Sequence, residues 1–295
     1  MSIKKGIYAA SISVINDDLS INVDATIKHS EKLIKNGCHG CVIFGSTGQA
    51  QLISSNEKKK LIEKLKDSKF KDCFILGTGV NSLNENVELI QFAIKNGINR
   101  FLLGVPAYYK FGDEGCYAYF SNLIQKVPEI KFLVYNFEKL FNYKFSIQII
   151  EKLVKNYPDS CLGLKDSTYN LFDKVKINKN FLIFPGSETK LKTGLELNNS
   201  GIISAICNVT APLARRVYDD FHNKKEQIFN ERLCGIRKIF DKNNLISGLH
   251  TFMSFENKKY KNILPPLSLL SKEQEKQMMD DLRSLDFYPE KNIAA

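Results

Sequence analysis

The chain has 295 residues, 43% of them apolar, and a formal net charge of +10. That suffices for a sizeable core, and no run of 18 or more apolar residues marks a membrane span. The lysines are dispersed, as in Glu57-Lys-Lys-Lys60 and Lys224-Lys225, and no helix-turn-helix, zinc-finger or RNP-like pattern accompanies them. The charge therefore reads as a solvated surface that helps to draw in a carboxylate, not as a nucleic-acid interface. Met1-Ser-Ile-Lys-Lys-Gly6 lacks an apolar h-region, so no secretory signal is expected. Seven cysteines, an odd number in a long chain, argue against a disulfide framework and for a reducing cytoplasm. Cys38-His-Gly-Cys41 has no second pair for zinc and falls between a helix end and a strand start, so these cysteines read as structural.

Short apolar runs alternate with longer amphipathic stretches along the chain. Residues 7–13 form the first predicted strand. A helix follows over 24–36, with Ile27, Leu33 and Ile34 on one side and Gly37 as its stop. Then come a strand over 41–45, a helix over 55–68 with Ser and Glu capping chemistry, and a strand over 73–79. A helix over 83–96 stops at Gly97 and precedes a strand over 100–105. The alternation continues with a helix over 113–126, a strand over 131–136, a helix over 145–156 and a strand over 161–166. A short helix near 169–177, a strand over 181–187, a helix over 188–197, a strand over 201–206 and a helix over 212–223 complete it. Eight strands with near-continuous hydrophobicity, each followed by a helix, predict an α/β fold, a (β/α)₈ TIM barrel spanning residues 1–223. A doubly wound open sheet is the alternative. Residues 224–295 lack strand patterning. Helices over 226–240, 244–255 and 271–284, with a break at Leu264-Pro-Pro-Leu267, predict a C-terminal helical region packed on the barrel.

Barrel chemistry sits where the strands end. Strand two ends in Gly45-Ser-Thr-Gly48, strand three in Gly77-Thr-Gly79, strand five in Tyr135-Asn136 and strand six in Lys165-Asp166. Lys165 follows Cys161-Leu-Gly-Leu164, so its stem belongs to a core strand. A lysine held in a barrel lumen meets little water, which disfavours an ammonium and favours a nucleophilic amine able to form a Schiff base. The plainer alternative is a structural lysine paired with Asp166. Tyr135 ends the neighbouring strand; its hydroxyl both donates and accepts and suits a proton shuttle, with Ser46 and Thr47 extending a hydroxyl chain. The same tyrosine alone also reads as a core aromatic. The Gly45–Gly48 turn suits a small carboxylate and lacks P-loop spacing. The histidines, at 29, 39, 222 and 250, stand at no strand end and show no metal-ligand spacing. There is no nucleophile elbow and no dinucleotide fingerprint.

Together, Phe44-Gly-Ser-Thr-Gly-Gln49, Gly77-Thr-Gly79, Pro106-Ala-Tyr-Tyr109, Tyr135-Asn136, Gly163-Leu-Lys-Asp166, Pro185-Gly-Ser187 and Gly201-Ile-Ile-Ser204 resemble the dihydrodipicolinate synthase/N-acetylneuraminate lyase family of class I aldolases. The resemblance implies a TIM-barrel carbon–carbon lyase, usually a homotetramer, using pyruvate and an aldehyde with no metal or organic cofactor. By resemblance, Lys165 is the Schiff-base lysine and Tyr135 the proton relay. Ser46 stands where the family usually has a relay threonine. Thr47 matches a carboxylate-binding threonine, and Tyr108 a relay tyrosine that reaches a neighbouring subunit. Gly186 and Ile203 match pocket-lining positions. One departure stands out. The synthases carry a Tyr-Asn-Val-Pro-x-Arg-like segment whose arginine gathers the aldehyde's carboxylate; here the segment is Tyr135-Asn-Phe-Glu-Lys-Leu140. Lys139 lacks the planar fork of arginine. An aldolase acting on a 2-keto-3-deoxy sugar acid or a 4-hydroxy-2-oxoglutarate type substrate is therefore expected ahead of the lysine-biosynthesis synthase. A dehydratase using the same imine, and a silent binding barrel, are the other readings.

Overall fold

The computed structural model describes residues 3–289. Met1 and Ser2 of the segment read for a targeting signal, and 290–295 of the predicted C-terminal region, lie outside them. Eight parallel strands form the centre: β1 (Gly6–Ala10), β2 (Gly40–Ile43), β3 (Phe74–Gly77), β4 (Arg100–Leu103), β5 (Lys131–Asn136), β6 (Cys161–Asp166), β7 (Leu182–Pro185) and β8 (Gly201–Ser204). Each pairs with the next in the chain up to β7, and β1 pairs with β8. Ser200 joins β8 to β7: its N–H donates to the Ile183 carbonyl at 2.8 Å, and its Oγ accepts from the Ile183 N–H at 3.2 Å. The sheet is thus a barrel and not an open doubly wound sheet.

Helices α1 (Val23–Lys35), α2 (Ser55–Leu65), α3 (Leu83–Lys95) and α4 (Asp113–Lys126) follow the first four strands, close to the predicted spans. Their starts are set by side-chain oxygens wherever one is available. Asn22 caps α1, and Ser54 forms a capping box with Glu57 at α2. After β5 comes an unpredicted four-residue helix, α5 (Glu138–Phe141), and then α6 (Ile147–Asn156). α7 (Leu191–Glu196) follows β7, and α8 (Cys207–His222) follows β8. Pro212 was read as the start of that last helix; it lies inside α8.

The predicted helix near 169–177 does not form. Asp166 is the reason. Its fully buried carboxylate accepts the backbone N–H groups of Thr168 and Tyr169 on Oδ1 and of Leu171 and Phe172 on Oδ2, at 2.8–3.1 Å. The chain wraps around this side chain, which offers the backbone an alternative to its own helical acceptors.

The C-terminal residues form α9 (Asn230–Phe240), α10 (Leu245–Glu256) and α11 (Lys272–Ser284). Their apolar faces, including Ile236, Phe240, Phe252 and Leu282, make a second core with Ile12, Val14 and Ile206 at the β1 and β8 ends of the barrel. His29 of α1 ties the two cores together. Its Nε2 lies 2.8 Å from Asn208 Oδ1, an acceptor, so Nε2 carries the proton and Nδ1 accepts from the Tyr260 hydroxyl at 3.0 Å. Burial holds this imidazole down at about 4, against an ordinary value of 6.5. The unfolded chain therefore binds more protons between those values, and stability is lost as pH falls through that window. A shift of this size corresponds to about 3 kcal/mol at most. Urea unfolding at pH 7 and pH 4.5 is expected to show a fall in midpoint, and His29→Gln is expected to reduce that fall. An unchanged pH dependence in the variant would contradict this account.

Candidate active site

Strand register decides which side chains meet. Tyr135 pairs with Lys165 and Asn136 with Asp166 across β5 and β6, and alternate residues face opposite sides. Tyr135 and Lys165 point into the lumen. Asn136 and Asp166 point away, where the Asn136 Nδ2 donates to Asp166 Oδ1 at 2.8 Å. The Lys165–Asp166 ion pair weighed from the sequence is therefore excluded. Asp166 is satisfied by amide donors on the other face. Lys165 is 4% exposed, and its amino group makes no ion pair or hydrogen bond among the described residues. Its Nζ lies 4.2 Å from the centroid of the Tyr135 ring, an attractive contact for a cation.

The Tyr135 hydroxyl lies 3.0 Å from Ser46 Oγ. Two close approaches bring Ser46 there. Phe44 turns the chain at the end of β2 with a left-handed φ of 59°. Gly77 at the end of β3 then lets that turn sit close, since a Cβ on it would lie 2.1 Å from the Phe44 carbonyl oxygen. Thr47, the next residue, is buried. Among the described residues, five of the nine non-glycine residues with positive φ (Phe44, Gln49, Tyr108, Asn142 and Tyr169) lie in loops at this end of the barrel. Such strain gathers where function fixes the backbone.

The other predicted residues are distributed unevenly. Ile203, fully buried on β8, pairs with Tyr8 of β1. Gly186 follows β7, and a Cβ there would meet Ser167 Oγ at 2.2 Å. Tyr108 is not brought to Tyr135 and Ser46 within the chain. It is 84% exposed with φ of 89°, edge-on to Tyr109. Lys139 and Leu140 lie on α5 at the mouth. Lys139 is exposed and forms no part of the cavity wall, whereas Leu140 lines it.

A cavity of about 280 Å³ opens beside Ser46 and Tyr135, which line it together with Leu140; Lys165, Thr47, Gly186 and Ile203 are not part of its wall. Sequence reading missed part of its wall. Phe141 packs edge-on to Tyr135 at 5.4 Å, and Ile246 and Leu267 arrive from the C-terminal region. Phe141 adjoins the Leu140 position and was within reach of the motif. Nothing local signals Ile246 or Leu267, which lie 105 and 126 residues downstream of it. Among the described residues no group of three or more His, Cys, Asp or Glu side chains is arranged to hold a metal ion. Cys38 and Cys41 are free and buried, and burial pushes the Cys38 thiol up to about 12. No helix among the described residues is long and apolar enough to cross a membrane.

Comparison with known proteins agrees with this geometry. An uncharacterized DapA-like lyase from Thermococcus kodakarensis is 26% identical over 93% of this chain and 97% of its own. The 4-hydroxy-tetrahydrodipicolinate synthase of Pelagibacter ubique is 31% identical over 86% of this chain and 84% of its own. Among solved structures, YagE, a prophage protein of the dihydrodipicolinic acid synthase family from E. coli K12 in complex with pyruvate, superposes with a TM-score of 0.88 at 20% identity, covering 97% of this chain and 100% of that one. The profile of the Dihydrodipicolinate synthetase family matches residues 4–285. With that match running almost end to end, on a barrel of eight parallel strands, the chain belongs to the dihydrodipicolinate synthetase family of carbon–carbon lyases.

Proposed function

We propose that this enzyme is a Schiff-base pyruvate aldolase, forming or cleaving the bond between pyruvate and an aldehyde. The observation that supports it most is Lys165. A buried lysine with no counter-ion among the described residues, against a tyrosine whose hydroxyl lies beside a serine, suits imine chemistry. The Lys165 amine adds to the ketone of pyruvate, and the carbinolamine loses water to give an imine. Tyr135 and Ser46 pass the protons. Loss of a methyl proton gives an enamine, whose carbon attacks the aldehyde. Thr47 and the turn around it hold the pyruvate carboxylate, and Gly186 and Ile203 shape the pyruvate end. Tyr108, exposed on this chain, extends the relay into a neighbouring subunit of a homotetramer. No cofactor is needed. The free thiols suit a reducing, cytoplasmic setting.

The synthase named among the relatives is the second reading. The Leu140 wall weighs against it, because the carboxylate of aspartate semialdehyde would enter without a charged partner. Losing a charge-assisted hydrogen bond costs about 1.5–3 kcal/mol, roughly 10–150-fold in kcat/KM. With pyruvate as donor, aspartate semialdehyde is therefore expected to be poorer by that factor than an uncharged acceptor of similar size. Leu140→Arg is expected to narrow the gap. Should aspartate semialdehyde exceed every other acceptor on the unmodified enzyme, the synthase reading replaces this one.

A further inference from the structure

The cavity lined by Ser46 and Tyr135, to which Lys165 is joined through its contact with the Tyr135 ring, carries no Lys, Arg, His, Asp or Glu side chain in its wall among the described residues. Val80, Val105, Leu140, Phe141, Ile246 and Leu267 make up much of it. The polar members are mostly engaged elsewhere. The Ser46 hydroxyl contacts Tyr135. Gln49 accepts from the Leu264 N–H at 2.8 Å and lies 3.4 Å from His250 Nε2. Asn81 Oδ1 accepts from the Ala107 N–H at 3.0 Å. Thr78 and the exposed Gln51 remain. Phe141 cannot be pushed aside toward β4, since even a Cβ on Gly104 would lie 2.3 Å from its ring. From this chain a distal carboxylate would meet no cation here, and each hydroxyl of a polyol would lose water for few partners.

We propose that the acceptor is an uncharged aldehyde with an apolar body, aliphatic or aryl, so that the enzyme makes and cleaves 4-hydroxy-2-oxo acids with a hydrocarbon arm. This rests on the pyruvate-aldolase reading above and narrows it, away from the polyhydroxylated or dicarboxylic arm expected from the sequence. In the forward step the enamine carbon bonds to the aldehyde carbon, and the aldehyde oxygen takes a proton through Tyr135 to become the 4-hydroxyl. Water then hydrolyses the imine and frees Lys165. Pyruvate and one aldehyde are consumed for each product, with no oxidant or reductant. Ile246 and Leu267 come from the C-terminal region, so that region helps to select the acceptor.

The test uses the full-length enzyme with pyruvate and a homologous series of straight-chain aldehydes from propanal to hexanal, with benzaldehyde, glyceraldehyde and glyoxylate alongside. Borohydride trapping with pyruvate alone is run in parallel. Each buried methylene is worth about fourfold, so kcat/KM is expected to rise about fourfold per carbon until the cavity is full. Leu267→Asn is expected to flatten that rise. A flat or falling series, or glyoxylate or glyceraldehyde ahead of every apolar aldehyde, overturns the proposal while trapping at Lys165 still stands. Absence of trapping overturns the aldolase reading beneath it.

Discussion

Pyruvate with borohydride is expected to modify the protein irreversibly at Lys165, and Lys165→Ala is expected to abolish the adduct and lower turnover by on the order of 10⁴-fold or more, because the covalent route is lost outright. Stability gives an independent readout. A structural lysine in a buried ion pair would leave a stranded carboxylate when removed, at a cost of about 3–5 kcal/mol. Lys165 has no such partner among the described residues, and Asp166 is held by amide donors on the opposite face. The alanine variant should therefore unfold at nearly the wild-type urea concentration while being inactive. Mass spectrometry of the trapped, digested protein locates the adduct. An adduct that persists in Lys165→Ala, or a variant that loses several kcal/mol of stability along with its activity, would reject the assignment.

The meeting of Tyr135 with Lys165 was legible because both stand at strand ends. Tyr135 sits on β5 and Lys165 on β6, whose predicted and observed bounds coincide, and the period of two with the strand register places both on one face. The eight runs of buried residues likewise marked a parallel sheet wound by helices. Legibility failed where a side chain, not the backbone pattern, dictates the path. Asp166 read as a candidate partner for Lys165, yet its carboxylate captures four backbone N–H groups and prevents the helix predicted after it. α5 was missed because four residues of Glu-Lys-Leu-Phe carry too short a period to register, yet this turn aims Leu140 and Phe141 at the cavity. Ile246 and Leu267 reach the wall through tertiary packing alone. The Ser46, Tyr135 and Lys165 cluster is thus readable from strand ends, and the part of the cavity wall from the C-terminal region is not.

Tyr135→Phe separates imine formation from proton transfer. The hydroxyl contacts Ser46 Oγ at 3.0 Å, and the ring contacts the Lys165 amine and Phe141. Phenylalanine keeps both ring contacts and removes the hydroxyl. Ser46 is half-buried and can turn to another acceptor, so the fold should hold. Borohydride trapping is therefore expected to continue at a reduced rate, because the amine and its surroundings persist. Turnover is expected to fall by about 10²–10⁴-fold, the usual contribution of a positioned acid–base group. Ser46→Ala should cost less. One neutral hydrogen bond is worth about 0.5–1.5 kcal/mol, or roughly 2–13-fold, and water can replace the serine. If the two hydroxyls form one relay, the double variant should be no slower than Tyr135→Phe alone, since the serine acts only through the tyrosine. Additive losses would show that Ser46 works independently, for instance on the acceptor. A Tyr135→Phe enzyme within about threefold of wild type, only about 0.65 kcal/mol of barrier, would remove the tyrosine from the proton path and leave it a core aromatic beside the lysine.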